Sequence, residues 1–123
     1  EQVGTNQYIY AGITIDGADH WLDTGTIPED EWHYLVATWS SGDYIRLYID
    51  GSLVDTSYST YSGSITYYDT PLSIGHNSIG LSNSEIDGII DEVRVSSKAR
   101  SADWIKLSYE NQRSGNTVVT VGP

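Results

Sequence analysis

The chain has no cysteine, methionine or phenylalanine among its 123 residues, and only 6 Lys plus Arg stand against 17 Asp plus Glu. The missing cysteine excludes disulfides, thiolate metal sites and a cysteine nucleophile, while saying little about compartment. Without Phe and Met, a core must be filled by Ile, Leu, Val, Tyr and Trp, an inventory that favours strands. The shortage of basic residues leaves a formal net charge of −11 and a sequence pI near 4.3, so a polyanion such as DNA, or an anionic membrane face, would be repelled. Neutral glycans and divalent cations remain as partners. No apolar run approaches the roughly 20 residues of a bilayer span. No basic, apolar leader follows Glu1, so neither membrane insertion nor a signal peptide is expected, and the chain reads as a mature or excised piece of something longer. A Gly-x-Ser-x-Gly elbow, a phosphate-binding Gly-rich loop, a dinucleotide fingerprint and internal repeats are also absent.

What is present points to strands. Apolar content of 38%, with 4 Trp and 10 Tyr, suffices for one core, so residues 1–123 are read as a single domain, with 110–123 a tail or linker. Ile9, Ala11, Ile13 and Ile15 alternate with Tyr8, Tyr10, Gly12 and Thr14, which predicts a strand over Gln7 to Ile15 with the first set facing the core. Asp16-Gly17 then reads as a tight turn into a strand over His20 to Asp23. Trp32 to Trp39 and Tyr44 to Val54 alternate likewise, and Asp50-Gly51 sits where a two-residue hairpin needs positive φ. Thr24 to Glu31 reads as a loop, and Asp55 to Thr70 as a long polar connection with a core contact only around Ile65. A strand is expected over Asp87 to Val95. Ser101 to Tyr109 alone looks helical, with Ser101 as cap, Asp103 at the positive end of the dipole, and Trp104, Leu107 and the Ile105/Tyr109 pair at helical spacing. Thr117 to Val121 reads as a short terminal strand or tail.

Four segments in this order, WHYLVATW (32–39), IRLYIDGSLV (45–54), PLSIG (71–75) and IDGIIDEVRV (86–95), resemble the laminin-G-like jelly rolls of the concanavalin A-like lectin/glucanase superfamily, over roughly residues 19–109. The resemblance implies an all-β antiparallel sandwich with one short helix near the C-terminus. It also implies a module that recognises glycans or surface partners and is seldom the catalytic part of its protein. Complete members carry further strands before the position of Gln7, one of them beside the IDEVR strand. Unpaired edges invite pairing, so Gln7 to Ile15 or Asp87 to Val95 is expected to pair with another chain, a fragment or a second copy, unless Thr117 to Val121 folds back into the place.

Three constellations could carry chemistry. Laminarinase-type hydrolases of the superfamily hold their carboxylates at alternate positions of one strand. Here Glu85, Asp87 and Asp91 could share a face, but Ile89 stands where the acid/base belongs and Glu92 falls opposite, so no catalysis is expected. The jelly-roll resemblance also implies a structural Ca²⁺ with Asp91 as a ligand, the alternative being a hydrogen-bonded structural Asp. Asp16, Asp19 and Asp23 lack the spacing of a calcium-binding EF-hand loop. The third constellation is aromatic: sugar rings stack their C–H faces on Tyr and Trp while nearby polar groups fix their hydroxyls. Tyr58, Tyr61, Tyr67, Tyr68 and Asp69 concentrate in the polar connection, and His20, Trp21, His76 and Asn77 at strand ends or loops could join the same rim. Simple loop packing is the other reading of the tyrosines. Trp32, Trp39 and Trp104 are expected in the core, and His33 as an ordinary outward strand residue.

The expected function is a non-catalytic, extracellular or cell-surface carbohydrate-binding or adhesion module. The alternatives are a structural or protein-interaction domain of a surface or viral attachment protein and, more distantly, a truncated glycoside hydrolase.

Overall fold

The computed structural model describes residues 8–68, 72–76, 85–113 and 115. The chain divides into two compact units, Glu1–Thr66 with Lys98–Pro123, and Tyr67–Ser97.

The first unit is built from hairpins closed by Asp-Gly pairs. Asp50 and Gly51 take φ of 50° and 80°, and Asp16 and Gly17 take 46° and 84°. Positive φ at both central residues matches the right-handed twist of the flanking strands, and Asp followed by Gly adopts it at low steric cost. The first turn joins β1 (Tyr10–Ile15) to β2 (Ala18–Asp23) in an antiparallel two-stranded sheet, with Ile15 opposite Ala18 and Tyr10 opposite Asp23. The second joins β4 (Arg46–Ile49) to β5 (Ser52–Thr56); β3 (Leu35–Thr38) pairs on the far side of β4, giving a three-stranded sheet in the order β3-β4-β5. A bulge between Leu47 and Tyr48 shifts the β4–β5 register. Together these sheets make an antiparallel sandwich with one helix, α1 (Ala102–Gln112), near the C-terminus.

Alternation on β1 places its residues as the pattern predicts. Ile15 is buried with Leu22, Ile45 and Leu47 in a core that draws on both sheets, and Ala11, Ile13, Trp39 and Tyr61 pack against it. Burying a Leu or Ile side chain contributes about 1.5–3 kcal/mol, so this cluster is a large part of what holds the sheets together. Leu47 and Tyr48 are adjacent and therefore face opposite sides of β4, yet both are buried. β4 is thus the covered central strand. The edge of β1 away from β2 is met within the chain: Ile15 bridges Ile65, Asp16 N–H donates to Ser64 O, and Thr66 N–H donates to Thr14 O.

Helix α1 starts where expected. The Ser101 hydroxyl accepts from Trp104 N–H at 3.2 Å, Asp103 lies in the first turn, and the helix runs three residues beyond the predicted end. Its docked stripe is narrower than the spacing suggests. Ile105 is wholly buried, Ser108 hydrogen bonds the Tyr34 hydroxyl, and the Tyr109 ring stacks near that of Tyr34 with centroids 6.4 Å apart. A β-carbon on Gly51 would lie 3.1 Å from the Tyr109 ring and 3.3 Å from Lys106 Cα, so the helix rests on the β4–β5 turn.

Several expectations are corrected. Trp32 is exposed. Trp104 and Leu107 are also partly exposed, at 40% and 49%, and the Arg100 guanidinium sits 4.8 Å over the Trp104 ring. Ile65 bridges β1 through its backbone while its side chain faces solvent. Asp87 to Val95, in the second unit, forms no strand. Glu92 has φ of 54°, which breaks an extended run, and the carboxylate of Asp91 bonds the next backbone N–H instead of leaving it for a ladder. Thr117 to Val121 lies outside the described residues, so the fold-back expectation does too.

Candidate functional site

The first unit carries an open depression of about 380 Å³ between β2 and the end of β5. Asp19, His20, Trp21 and Leu22 line it from β2, Asp55 and Thr56 from β5, and Ser57, Tyr58 and Tyr61 from the connection that follows. Four residues expected on a sugar-contacting rim, His20, Trp21, Tyr58 and Tyr61, therefore border one depression, with the adjacent His20 and Trp21 on opposite faces of β2.

Each is positioned by a local cause. Trp21 pairs with Gly12 across the β1–β2 ladder, and its indole occupies the space where a Gly12 side chain would begin. Glycine at 12 lets the ring lie down on the strand while half its surface stays open. Tyr61 is fixed through its backbone: its N–H donates to Asp43 O, and its carbonyl accepts from Gly42 N–H at 2.8 Å and from the Trp39 indole at 3.2 Å. Its ring packs against the core and lies 3.8 Å, centroid to centroid, from the His20 ring. Asp43 is itself held by two bonds from Arg46, at 2.9 and 3.0 Å; these bonds, with that from Tyr44 N–H, keep its carboxyl below the usual carboxylate range. Ser57 clips the connection to the start of β4, donating through N–H to Ile45 O and accepting from Ile45 N–H at its hydroxyl. The same hydroxyl donates to Ser59 O, bending the chain so that Tyr58, fully exposed, projects between the clips.

The polar groups around these rings are carboxylates and hydroxyls. Asp55 Oδ2 accepts from Asp23 N–H at 3.1 Å, linking the two sheets, while its Oδ1 accepts from Thr56 N–H. Asp19 Oδ1 accepts from the Thr14 hydroxyl at 2.6 Å. Exposed rings beside hydrogen-bonding oxygens, on backbone held from both ends, form a surface that can stack a flat ligand and bind its hydroxyls.

The other expected site residues belong to the second unit or fall outside the described residues. Tyr67 and Tyr68 belong to the second unit and are exposed; Asp69 and Asn77 fall outside the described residues. His76, also in the second unit, stands 3.6 Å from Glu85. Tyr61, one of the tyrosines expected on the rim, has its ring partly covered by His20 and the core. Asp91 is exposed, and its Oδ1 accepts from Glu92 N–H at 2.8 Å, while Glu92 pairs with Arg94. Among the described residues no three metal-ligating side chains cluster. Asp91 with its described neighbours offers fewer oxygens than the six to eight calcium takes. The alternating geometry that would align Glu85, Asp87 and Asp91 as hydrolytic carboxylates is lost with the strand.

Sequence reasoning missed Asp19, Leu22, Asp55, Thr56 and Ser57 as lining residues. The signal for Asp55 is an acidic residue at the end of a hairpin strand, but its bond to Asp23 spans 32 positions and depends on how the sheets meet.

An antiparallel sandwich of hairpins with one helix after the last segment is the build of a jelly-roll module. Residues 2–106 match the concanavalin A-like lectin/glucanases superfamily, and the chain belongs to it. A solved structure of an S-layer domain-containing protein from Clostridium thermocellum ATCC 27405 (its residues 221–444) is similar at 25% identity and a TM-score of 0.49, covering 83% of this chain and 51% of that one. The chain thus spans about half the length of that structure. No curated protein matches.

Proposed function

We propose that this chain is a non-catalytic carbohydrate-binding or adhesion module of a larger secreted or cell-surface protein, and that the sugar sits in the depression between β2 and β5. The observation that carries the reading is the gathering of Tyr58, Tyr61 and His20, with Trp21 at the border and the oxygens of Asp55, Thr56 and Ser57, around one recess whose volume lies in the range of small-ligand sites. Tyr58 is the open stacking face, Tyr61 and His20 form the inner wall, Trp21 borders the recess from the outer face of β2, and Asp55, Thr56 and Ser57 offer oxygens to sugar hydroxyls.

Membership of a superfamily named for both lectins and glucanases leaves binding and hydrolysis to be separated by chemistry. Retaining hydrolysis needs two carboxyl groups about 5–5.5 Å apart, with one held protonated. The carboxyls of the recess, Asp19 and Asp55, are instead engaged as acceptors of the fold's own N–H and O–H groups.

The test is a panel of oligosaccharides titrated against the chain, with Tyr58→Ala as the variant. Tyr58 is fully exposed, so the substitution leaves the fold intact. Loss of one stacking ring, about 0.5–1.5 kcal/mol, weakens binding by roughly two- to tenfold. Unchanged affinity in the variant would refute the assignment, and release of reducing sugar on incubation would refute the non-catalytic part.

A second reading, a protein-interaction domain, is favoured by the second unit. Leu72, Ile89, Val93 and Val95 are largely exposed there, and apolar exposure of this kind is a mark of partner surfaces. A concentration-dependent rise in mass by light scattering, abolished in Ile89→Asp, would support self-pairing through that segment.

A further inference from the structure

We infer that Asp87-Gly88 is a site of spontaneous backbone modification, where the chain converts to an isoaspartate linkage through a cyclic imide. The reaction needs no partner molecule but water. The Gly88 backbone nitrogen attacks the protonated carboxyl at Asp87 Cγ. The N–Cγ bond forms, the Cγ–OH bond breaks, and the hydroxyl leaves as water with the proton of the Gly88 N–H. Water then opens the imide at either carbonyl. Breaking the N–Cγ bond restores aspartate, while breaking the bond from that nitrogen to the Asp87 backbone carbonyl carbon leaves the chain running through Cβ and Cγ. Glycine after the aspartate favours the attack because it has no β-carbon to shield the nitrogen.

The sequence has three Asp-Gly pairs, 16-17, 50-51 and 87-88, and the structure separates them. At the first, both reacting groups are held: Asp16 Oδ1 accepts from Ser64 N–H at 3.0 Å, and Gly17 N–H donates to the Thr66 hydroxyl at 2.6 Å. At the second, both carboxylate oxygens of Asp50 are engaged, Oδ1 by Tyr34 N–H at 2.9 Å and Oδ2 by His33 Nδ1 at 2.8 Å. Both of these pairs also close hairpins, so the ladders on either side fix their backbone. Asp87 and Gly88 are exposed and lie outside any helix or strand. Among the described residues, neither the Asp87 carboxylate nor the Gly88 N–H has a hydrogen-bond partner. Only at this pair are the attacking nitrogen and the carboxyl both free. The product inserts a methylene into the backbone between Ile86 and Ile89 and moves the free carboxylate onto the α-carbon, so the exposed apolar residues of this segment change their spacing.

The experiment incubates the folded chain in ¹⁸O water at mildly acidic pH, digests it with chymotrypsin in ordinary water, and locates the label by mass spectrometry. Each imide opened by solvent leaves one ¹⁸O in its peptide, and isoaspartate is recognised from its backbone fragments. Cleavage after aromatic residues puts the three pairs in separate peptides. Attack at Asp16 or Asp50 must first break at least one hydrogen bond to a charged group, so label there is expected to accumulate at least about tenfold more slowly than at Asp87. In urea the three pairs should label at similar rates, because the difference belongs to the fold. Gly88→Ala places its β-carbon 3.5 Å from Ile86 Cγ2 at a position without positive φ, so it should keep the fold and lose most of the label at Asp87. Equal labelling of the three pairs in the folded chain, or an Asp87 that labels in urea but not in the folded chain, overturns the inference. Undiminished label in Gly88→Ala does so too, by showing that the label enters by another route.

Discussion

His33 sits between two acceptors. Its Nδ1 lies 2.8 Å from Asp50 Oδ2 and its Nε2 lies 3.1 Å from Pro28 O. A carboxylate and a carbonyl only accept, and a neutral imidazole has one N–H, so both bonds form together only when the ring is protonated. Burial opposes that charge. The bonds to Asp50 and Pro28, with the charges of Asp50 and Glu31, outweigh it and raise the pKa of His33 above its ordinary value of 6.5. Asp50 is also the turn residue whose Oδ1 accepts from Tyr34 N–H, so the cluster ties the 24–31 loop to the β4–β5 turn and, through Tyr34, to α1.

A pKa raised in the folded state means that folding favours the proton. The stabilisation is complete below the unfolded value and is lost as pH rises through the folded one. Urea denaturation from mildly acidic to mildly alkaline pH should therefore show falling stability above about 6.5. Asp50→Asn keeps an oxygen for Tyr34 N–H and tolerates positive φ, so it should remove most of the slope. Asp50→Ala loses both side-chain bonds and places a β-carbon at φ of 50°. Taking the lower end of the range for charged hydrogen bonds because Asp50 is partly exposed, the cost is about 2–4 kcal/mol, a large share of a small domain's stability. Flat stability across this window in the natural sequence, or an equal slope in Asp50→Asn, would refute the reasoning.

Other substitutions test the packing. Ile105→Ala should cost about 2–5 kcal/mol and Leu107→Ala less than about 1 kcal/mol in chemical denaturation, because only the first leaves a cavity; equal losses would mean that α1 docks by another face. Gly63 has φ of 140°, and a β-carbon there would collide with the Asp16 carboxylate. Gly63→Ala is expected to lower stability by at least about 1 kcal/mol through the bond between Asp16 and Ser64 N–H, so a neutral result would show that this contact is dispensable. If the calcium that the resemblance implies sits at Asp91, the melting temperature is higher in calcium than in chelator and that difference is lost in Asp91→Asn; superimposed curves would remove it.

The hairpins were legible because their cause is local. Alternation over 9–15 and the Asp16-Gly17 and Asp50-Gly51 pairs carry strand, face and turn within a few residues, and Ser101 marks a helix start by a bond three positions away. What failed depended on distant partners. Residues 86–95 have strand-like composition, but composition does not supply a ladder, and positive φ at Glu92 breaks the run. Trp32 and Trp104 look like core by type, whereas their exposure follows from which stripe of α1 and which end of β3 the sandwich covers. Of the site, the aromatic members were legible as large rings in polar segments. Asp55 was not, since it borders the recess only after β2 is laid against β5.

The most direct test of the account is a ¹⁵N–¹H spectrum of the chain titrated with a panel of oligosaccharides. The four Trp indoles give separate reporters: Trp21 lines the recess, Trp39 packs on the core, and Trp32 and Trp104 are exposed outside the recess lining. The account predicts a saturable shift of the Trp21 indole together with the amides of Asp19 to Leu22, Asp55 to Tyr58 and Tyr61, with Trp32 and Trp104 unmoved. Saturable shifts confined to Tyr67 and Tyr68, or a spectrum unchanged by every sugar, would contradict it.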